Sequence, residues 1–242
     1  MIVESMSYLE AYNQIESDLP RVKFRAEKLL PRVIKDFGKT RDFPKYHIEE
    51  YTHPETKNNY RIFYYIGNAR ENVIYKMFYV TFYENSRLVI STDIRKYQHT
   101  ENSRTINLPI ICIYIHHFLE RYNERFLHLN SVSDDIIAGH FIARNKVFDQ
   151  IPMNEEINRN YQKYGDYNKY GIRVRDGFCF AKTSIEGKES EDGIDEHDRV
   201  DAMRIIYASY MNESGMSDTQ RAAIEREHYE VLERFLPEFM KH

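Results

Sequence analysis

Tryptophan is absent from this chain, cysteine occurs twice in 242 residues, and no uncharged apolar stretch approaches the roughly 18 residues of a membrane-spanning helix. The longest apolar run, Leu108 to Ile115, is too short to span, so no membrane partner is expected. Cys112 and Cys179 lie far apart in apolar surroundings. That pattern fits buried free thiols in a reducing compartment better than a disulfide framework. The N-terminal stretch MIVESMSYLEAYNQ has no basic segment followed by an apolar one, as a secretory signal would. The expectation is therefore a cytoplasmic protein. No CxxC, HExxH or Walker-type Gly-Lys pattern occurs, so neither a metal nor a cofactor is expected.

Charge of one sign is also lacking over most of the chain. The net charge is −4, which argues against a broad nucleic-acid coat. Residues 186–201 hold eight acids and two bases, a net of −6; the remainder carries +2 (−4 less −6). A local basic site can still attract an anion on such a body. What the chain does have is 20 Tyr and 14 Phe, with 42% hydrophobic and 30% charged residues, a globular composition. Tyr joins a large apolar ring to a polar tip and suits half-buried sheets and binding surfaces alike.

The patterning predicts an α+β fold with antiparallel sheets. Ser7-Tyr8-Leu9-Glu10 reads as a capping box, and Asp18-Leu19-Pro20 reads as the start of a second helix ending at Gly38. Tyr46 to Thr92 reads as a meander of four strands separated by turn residues. The run Val73 to Tyr83 is apolar or aromatic at nearly every position, so it is expected to be central, with the N-terminal helices as cover. Residues 93–107 read as a loop, followed by a strand to Tyr114. From Ile115 a helical period sets in, and Ser133 is expected to cap a second helix, giving a central helical hairpin. Residues 150–170 read as a polar, Tyr-rich loop. A β-hairpin follows from 171–185 and 200–211, joined by the acidic run, and a C-terminal helix opens on the box Ser217 to Gln220. The chain reads as one domain over 1–242, with a division into 1–100 and 101–242 as the alternative.

The helix after Ile115 carries the most suggestive chemistry. His117, Arg121 and Arg125 fall at i, i+4 and i+8 and line one side, with His128 nearby. A row of cations suits an anion such as phosphate, because Arg grips two oxygens at once and His exchanges a proton near neutral pH. The next helix carries His140 and Arg144 at the same spacing. If the hairpin turns near 130–131, residue 117 lies opposite 144 and residue 121 opposite 140, giving one His/Arg cluster.

Each feature also has a plainer reading. A charged helix face is ordinarily a solvated one. A His among isoleucines, as His140 is, is ordinarily a core His. The adjacent His116 and His117 point about 100° apart on a helix, which is poor metal geometry. Asp192, Asp195 and Asp198 match no Ca²⁺ loop spacing and read as a surface loop. The Tyr-rich strands read as a covered sheet rather than a base-stacking platform.

The segment His117-Phe-Leu-Glu-Arg121-Tyr-Asn-Glu-Arg125-Phe126 resembles the H-x3-R-x3-R helix of small metal-independent ribonucleases of the RelE-like (barnase/EndoU/colicin/RelE) group. The resemblance implies attack of a ribose 2′-OH on the adjacent phosphate without a metal. It gives His117 proton transfer, and Arg121 and Arg125 charge neutralisation on the phosphorus. Tyr207 and Ser209, on a nearby strand, are candidates to complete the set. The functional expectation is an RNA- or phosphate-directed protein. The rivals are a protein-interaction module built on the Tyr-rich faces and acidic loop, and a small-anion binder.

Overall fold

In the computed structural model, which describes residues 6–83, 86–98, 105–145, 148–158, 170–187 and 200–239, the first helix, α1, runs unbroken over Tyr8–Phe37. The capping box forms: Glu10 N–H donates to Ser7 Oγ at 3.1 Å and Ser7 N–H to the Glu10 carboxylate at 2.8 Å. The expected restart at Asp18 does not occur, so the N-terminal pair is one helix with Pro20 and Pro31 inside it. The reason is tertiary. The Asp18 carboxylate is 2% exposed and faces the sheet. It accepts from Thr56 Oγ1 at 2.7 Å, Asn58 Nδ2 at 2.8 Å and Tyr60 Oη at 2.8 Å. These bonds leave it no role as a cap.

Among the described residues, nine strands form one sheet in the order β1-β2-β3-β4-β5-β9-β8-β7-β6. The first five, β1 (Lys45–Thr52), β2 (Asn59–Ile66), β3 (Ile74–Tyr83), β4 (Ser86–Gln98) and β5 (Thr105–Tyr114), pair antiparallel in sequence order. The four-strand meander is therefore present, and β3 lies inside it, covered on both faces. The loop expected at 93–107 is corrected: 93–98 complete β4, 105–107 open β5, and the two pair from Ile94↔Pro109 to Gln98↔Thr105. Two strands can carry polar residues wherever one face is wet, which is why polarity misled there.

The second set is β6 (Phe148–Pro152), β7 (Tyr170–Val174), β8 (Gly177–Gly187) and β9 (Val200–Met211), again antiparallel. The expected two-strand hairpin is thus part of a four-strand set: β7 and β8 divide the first run at a tight turn, and β6 uses residues expected as helix end and loop. The two sets join through β5 and β9, which run parallel from Ile110↔Met203 to Tyr114↔Tyr207. That pairing makes the sheet mixed, not purely antiparallel. Parallel neighbours need a long crossover. Here it consists of α2 (His116–Tyr122), a π turn (Asn123–Leu127), α3 (Asp134–Arg144) and the β6–β8 strands.

Side-chain alternation sorts the faces. On β2, Tyr60, Ile62 and Tyr64 meet α1, whereas Phe63 and Tyr65 join the larger core beneath α2 and α3. That core is aromatic: Tyr114 stacks on Tyr207 at 4.8 Å, and Phe118 meets Phe141 edge-on at 5.0 Å. Cys112 and Cys179 are buried in it as free thiols, and burial pushes the Cys112 thiol up to about 12. Gly139 lets α3 approach the sheet, since a Cβ there would come within 2.2 Å of the Phe63 ring. Arg95 on β4 donates to Gln150 on β6 at 2.8 Å although four strands separate them in the sheet. In a flat sheet they would lie about 24 Å apart at ~4.8 Å per strand. The sheet therefore curls strongly.

On β8, Cys179 and Ala181 face this core, so Phe178, Phe180, Lys182, Ser184 and Glu186 face the other way. Ser184 and Glu186 meet the start of α1 through Tyr8 Oη and the Leu9 N–H. Phe178 and Phe180 pack in a third cluster with Ile157 of α4 (Glu155–Asn158) and Ile224 of α5 (Asp218–Phe239). The helices α1 and α5 thus cover opposite ends of one face, and Lys182 lies between them. The box at Ser217 and Gln220 forms as expected, with Gln220 N–H donating to Ser217 Oγ at 3.2 Å. The acidic run 188–199, with its three candidate aspartates, and residues 159–169 lie outside the described residues.

Asp18 gives a test of how α1 is held. Burial alone would raise its pKa, but the bonds from Thr56, Asn58 and Tyr60 and the nearby His53 hold it below the usual carboxylate value. Asp18→Ala removes the shared acceptor of three donors, two of them buried, and should cost about 3 kcal/mol or more in urea unfolding at pH 7. A loss within 0.5 kcal/mol, about that of a surface substitution, would mean that the contact does not anchor the helix.

Candidate functional site

The strand β5 ends at Tyr114, opposite Tyr207, while its neighbour β9 continues to Met211. From His116 the chain turns helical, so α2 lies beside the last stretch of β9. Arg125 Nη1 donates to the Tyr210 carbonyl at 2.5 Å, and Asn212 Nδ2 donates to the Arg125 carbonyl at 2.7 Å. The apolar side of α2, Phe118, Leu119 and Tyr122, is buried in the aromatic core. The opposite side carries the cationic row.

A cavity of about 670 Å³ opens there. His117, Arg121 and Arg125 line one wall. Phe180 and Lys182 of β8 and Ile206, Ala208 and Ser209 of β9 form the floor, and Asn212, Ser214 and Gly215 close one end. Among the described residues, no carboxylate lines it. Acids on the same turns pair with the row: Glu124 holds Arg121 at 2.7 Å, and Glu120 lies 3.6 Å from His117 Nδ1. Both pairs are well exposed, so their attraction is weak and easily exchanged for that of a ligand.

Two irregularities shape the site. The turn Asn123–Leu127 is π-helical. It is closed by Asn123, whose side chain bonds both the N–H and the carbonyl of Leu129 at 3.0 Å, and by His128 at φ 55°. Five residues instead of four per hydrogen-bonded ring rotate Arg125 back toward the line of Arg121. The second irregularity is a bulge in β9. Phe180 pairs with Ser209 but Ala181 with Tyr207, leaving Ala208 without a partner on β8. Beyond the bulge the alternation reverses phase. Tyr207 and Tyr210 therefore both face the core, while Ala208 and Ser209 both face the cavity.

Of the residues singled out from sequence, His117, Arg121, Arg125 and Ser209 come together here. The other three do not. Tyr207 is corrected to the core, stacked on Tyr114; strict alternation would have kept it with Ser209. Arg144 is corrected to a structural site, where it grips Asp176 through two bonds of 2.8 and 2.9 Å and donates to Tyr65 Oη. Asp176, in the β7–β8 turn, also accepts from Tyr122 Oη at 2.6 Å, and its carbonyl accepts from Tyr210 Oη. His140 lies 2% exposed among Tyr46, Phe63 and Tyr65, with neither ring nitrogen hydrogen-bonded. The joint cluster across the hairpin does not form, because α3 turns that side into the sheet. His116 and His117 diverge as expected, His116 bonding Asp134 at 2.8 Å. Ser133 holds the N-cap position of α3 without a side-chain bond. Asp135 of that first turn instead pairs with Arg61 and Arg87.

Lys182, Asn212 and Ser214 were not singled out from sequence. Lys182 alternates with Phe180 on a strand that gives no sign of which face is open. Among the described residues, no group of three or more His, Cys, Asp or Glu side chains is arranged to hold a metal, and no helix is long and apolar enough to cross a membrane. No family model matches the chain, and comparison with curated proteins and with solved structures finds no match.

His140 and Asn212 each yield an expectation. Burial, and next the charge of Arg144, lower the His140 pKa to about 4. In the unfolded chain an imidazole titrates near 6.5. Between those values the unfolded state binds more protons, so stability falls as pH drops through the window. Wild type should lose up to roughly 3 kcal/mol more than His140→Leu between pH 7 and pH 4 in denaturant titrations; parallel losses would place the acid sensitivity elsewhere. Asn212 also accepts from Gly215 N–H at 3.0 Å. Asn212→Ala should cost about 1–2 kcal/mol, and unchanged urea midpoints would show that this tie between the cavity walls carries no weight.

Proposed function

We propose that the protein is RNA- or phosphate-directed and holds a phosphate-bearing ligand in this groove. One observation carries the reading: His117, Arg121, Arg125 and Lys182 surround one concavity, whose lining holds no carboxylate among the described residues. A concave site of one sign concentrates field and counter-ion, which a row of cations on a convex helix would not do. The π turn and the bulge support it, since both are local departures that cluster at functional sites. Arg125 is committed to the Tyr210 carbonyl, so Arg121 is the guanidinium most available for two phosphate oxygens. The same arrangement favours an anion over a protein partner seated on a flat surface.

Cleavage of RNA is the second reading, and His117 on the cationic wall is the observation in its favour. The imidazole would take the 2′-OH proton, the 2′-oxygen would bond to phosphorus, and Arg121 would neutralise the charge that builds there. The departing 5′-oxygen would take its proton from water, because among the described residues no second imidazole and no carboxyl lines the groove. For that reason binding ranks ahead of cleavage.

The test uses a labelled ribo-oligonucleotide and inorganic phosphate at 50 mM salt. Wild type should bind, Arg121→Ala should weaken binding about tenfold, and added salt should weaken it further. Failure of wild type to bind either probe would remove the reading. Incubation with total RNA in EDTA separates the second reading: fragments with wild type and none with Arg121→Ala would establish cleavage, and intact RNA would end it.

A further inference from the structure

We infer that the groove is built for a single nucleoside phosphate, seated with its phosphoryl group on the α2 wall and its planar base on the floor of the sheet. The inference rests on the phosphate-directed reading above and adds the body of the ligand to it. Inorganic phosphate needs only the charged wall. The groove is far larger: at about 670 Å³ it falls within the ~300–1,000 Å³ of pockets that enclose small organic ligands.

The floor is what such a body would desolvate. Lys182 lies directly opposite Ile206, and Phe180 opposite Ser209, beside the bulged Ala208. Ile206 and Ala208, both half-buried, thus form an apolar patch on β9, bordered by the buried Phe180 of β8. Ala208 is its smallest member, and the bulge turns it and Ser209 to the same side. A planar ring laid there covers apolar surface that water otherwise wets, a gain proportional to the area removed.

Polar groups frame the patch on three sides. The cationic row lies along one edge and Lys182 along the other. Ser209 and Ser214 bring hydroxyls that bond nothing else among the described residues, and each can donate or accept. A sugar or base edge offers such partners, whereas an acyl chain does not. A sugar phosphate would satisfy the wall and hydroxyls but leave the patch wet.

The experiment is calorimetric titration of the full chain with inorganic phosphate, ribose 5-phosphate, adenosine 5′-monophosphate and adenosine. The nucleoside monophosphate should bind at least tenfold more tightly than either smaller phosphate, and adenosine should bind weakly. Equal affinity for all three phosphates would overturn the inference and leave the phosphate reading intact. Absence of binding by any phosphate would overturn both. Two variants separate the parts. Ile206→Thr should abolish the preference for the nucleotide while keeping phosphate affinity, which also shows that it is folded; Arg121→Ala should weaken all three phosphates alike. A preference undiminished in Ile206→Thr would place the base elsewhere. A tetraribonucleotide without terminal phosphate distinguishes the source: binding equal to the monophosphate would assign the seat to an internal nucleotide of RNA, and weaker binding to a free nucleotide or a phosphorylated end.

Discussion

The parallel pairing of β5 with β9 is the constraint on which the rest of the structure depends. It joins two antiparallel sets into one sheet, and it is unequal in length. Because β5 stops at Tyr114 while β9 runs on to Met211, the edge of β9 beyond that point needs another neighbour. The helix α2 and the π turn that continues it provide it, bonding the Tyr210 carbonyl through Arg125 of that turn instead of through a backbone ladder. An open strand edge would otherwise leave its polar groups as a template for another chain. The cavity is a by-product of that substitution, since a helix beside a strand cannot fill the space that a strand would.

Two buried carboxylates fix the helices around this join. Asp176 ties the β7–β8 turn to α2 through Tyr122 and to α3 through Arg144, and its own carbonyl meets Tyr210. Asp135 seats the start of α3 on Arg61 and Arg87, from two strands of the first set. Each carboxylate accepts several donors at once, the condition under which a buried charge is tolerated. The helical crossover is thus pinned to both halves of the sheet, and the α2 wall is held against its floor.

The periodic parts of this fold were legible in the sequence, and the aperiodic parts were not. Strand alternation and turn residues located the meander, and two capping boxes located the starts of α1 and α5. The row His117, Arg121, Arg125 followed from helical spacing alone. What escaped was decided by contacts distant in sequence. Asp18 looked like a helix start because its three donors lie about 40 residues away. The stretch 93–107 looked like a loop because its partner strand was not known. The pairing of Tyr207 with Ser209 failed through one extra residue in β9, and His140 with Arg144 failed because the hairpin rolls that side into the core. No pattern of residue types announces a bulge or the roll of a helix pair. The floor of the groove was therefore out of reach, even where its wall was not.

One link in the chain, the single residue Ile115 between β5 and α2, sets a phase relation. A strand repeats every two residues and a helix every 3.6, and here one runs almost directly into the other. The register of β5 in the sheet therefore dictates the angle at which the cationic row emerges. One residue inserted at this junction would turn the whole row by about 100°, carrying the cations out of the groove and the apolar side of α2 with them. The tolerance to insertion usual for connections between elements is absent at this point, and the groove's charge is inherited from the alignment of two strands.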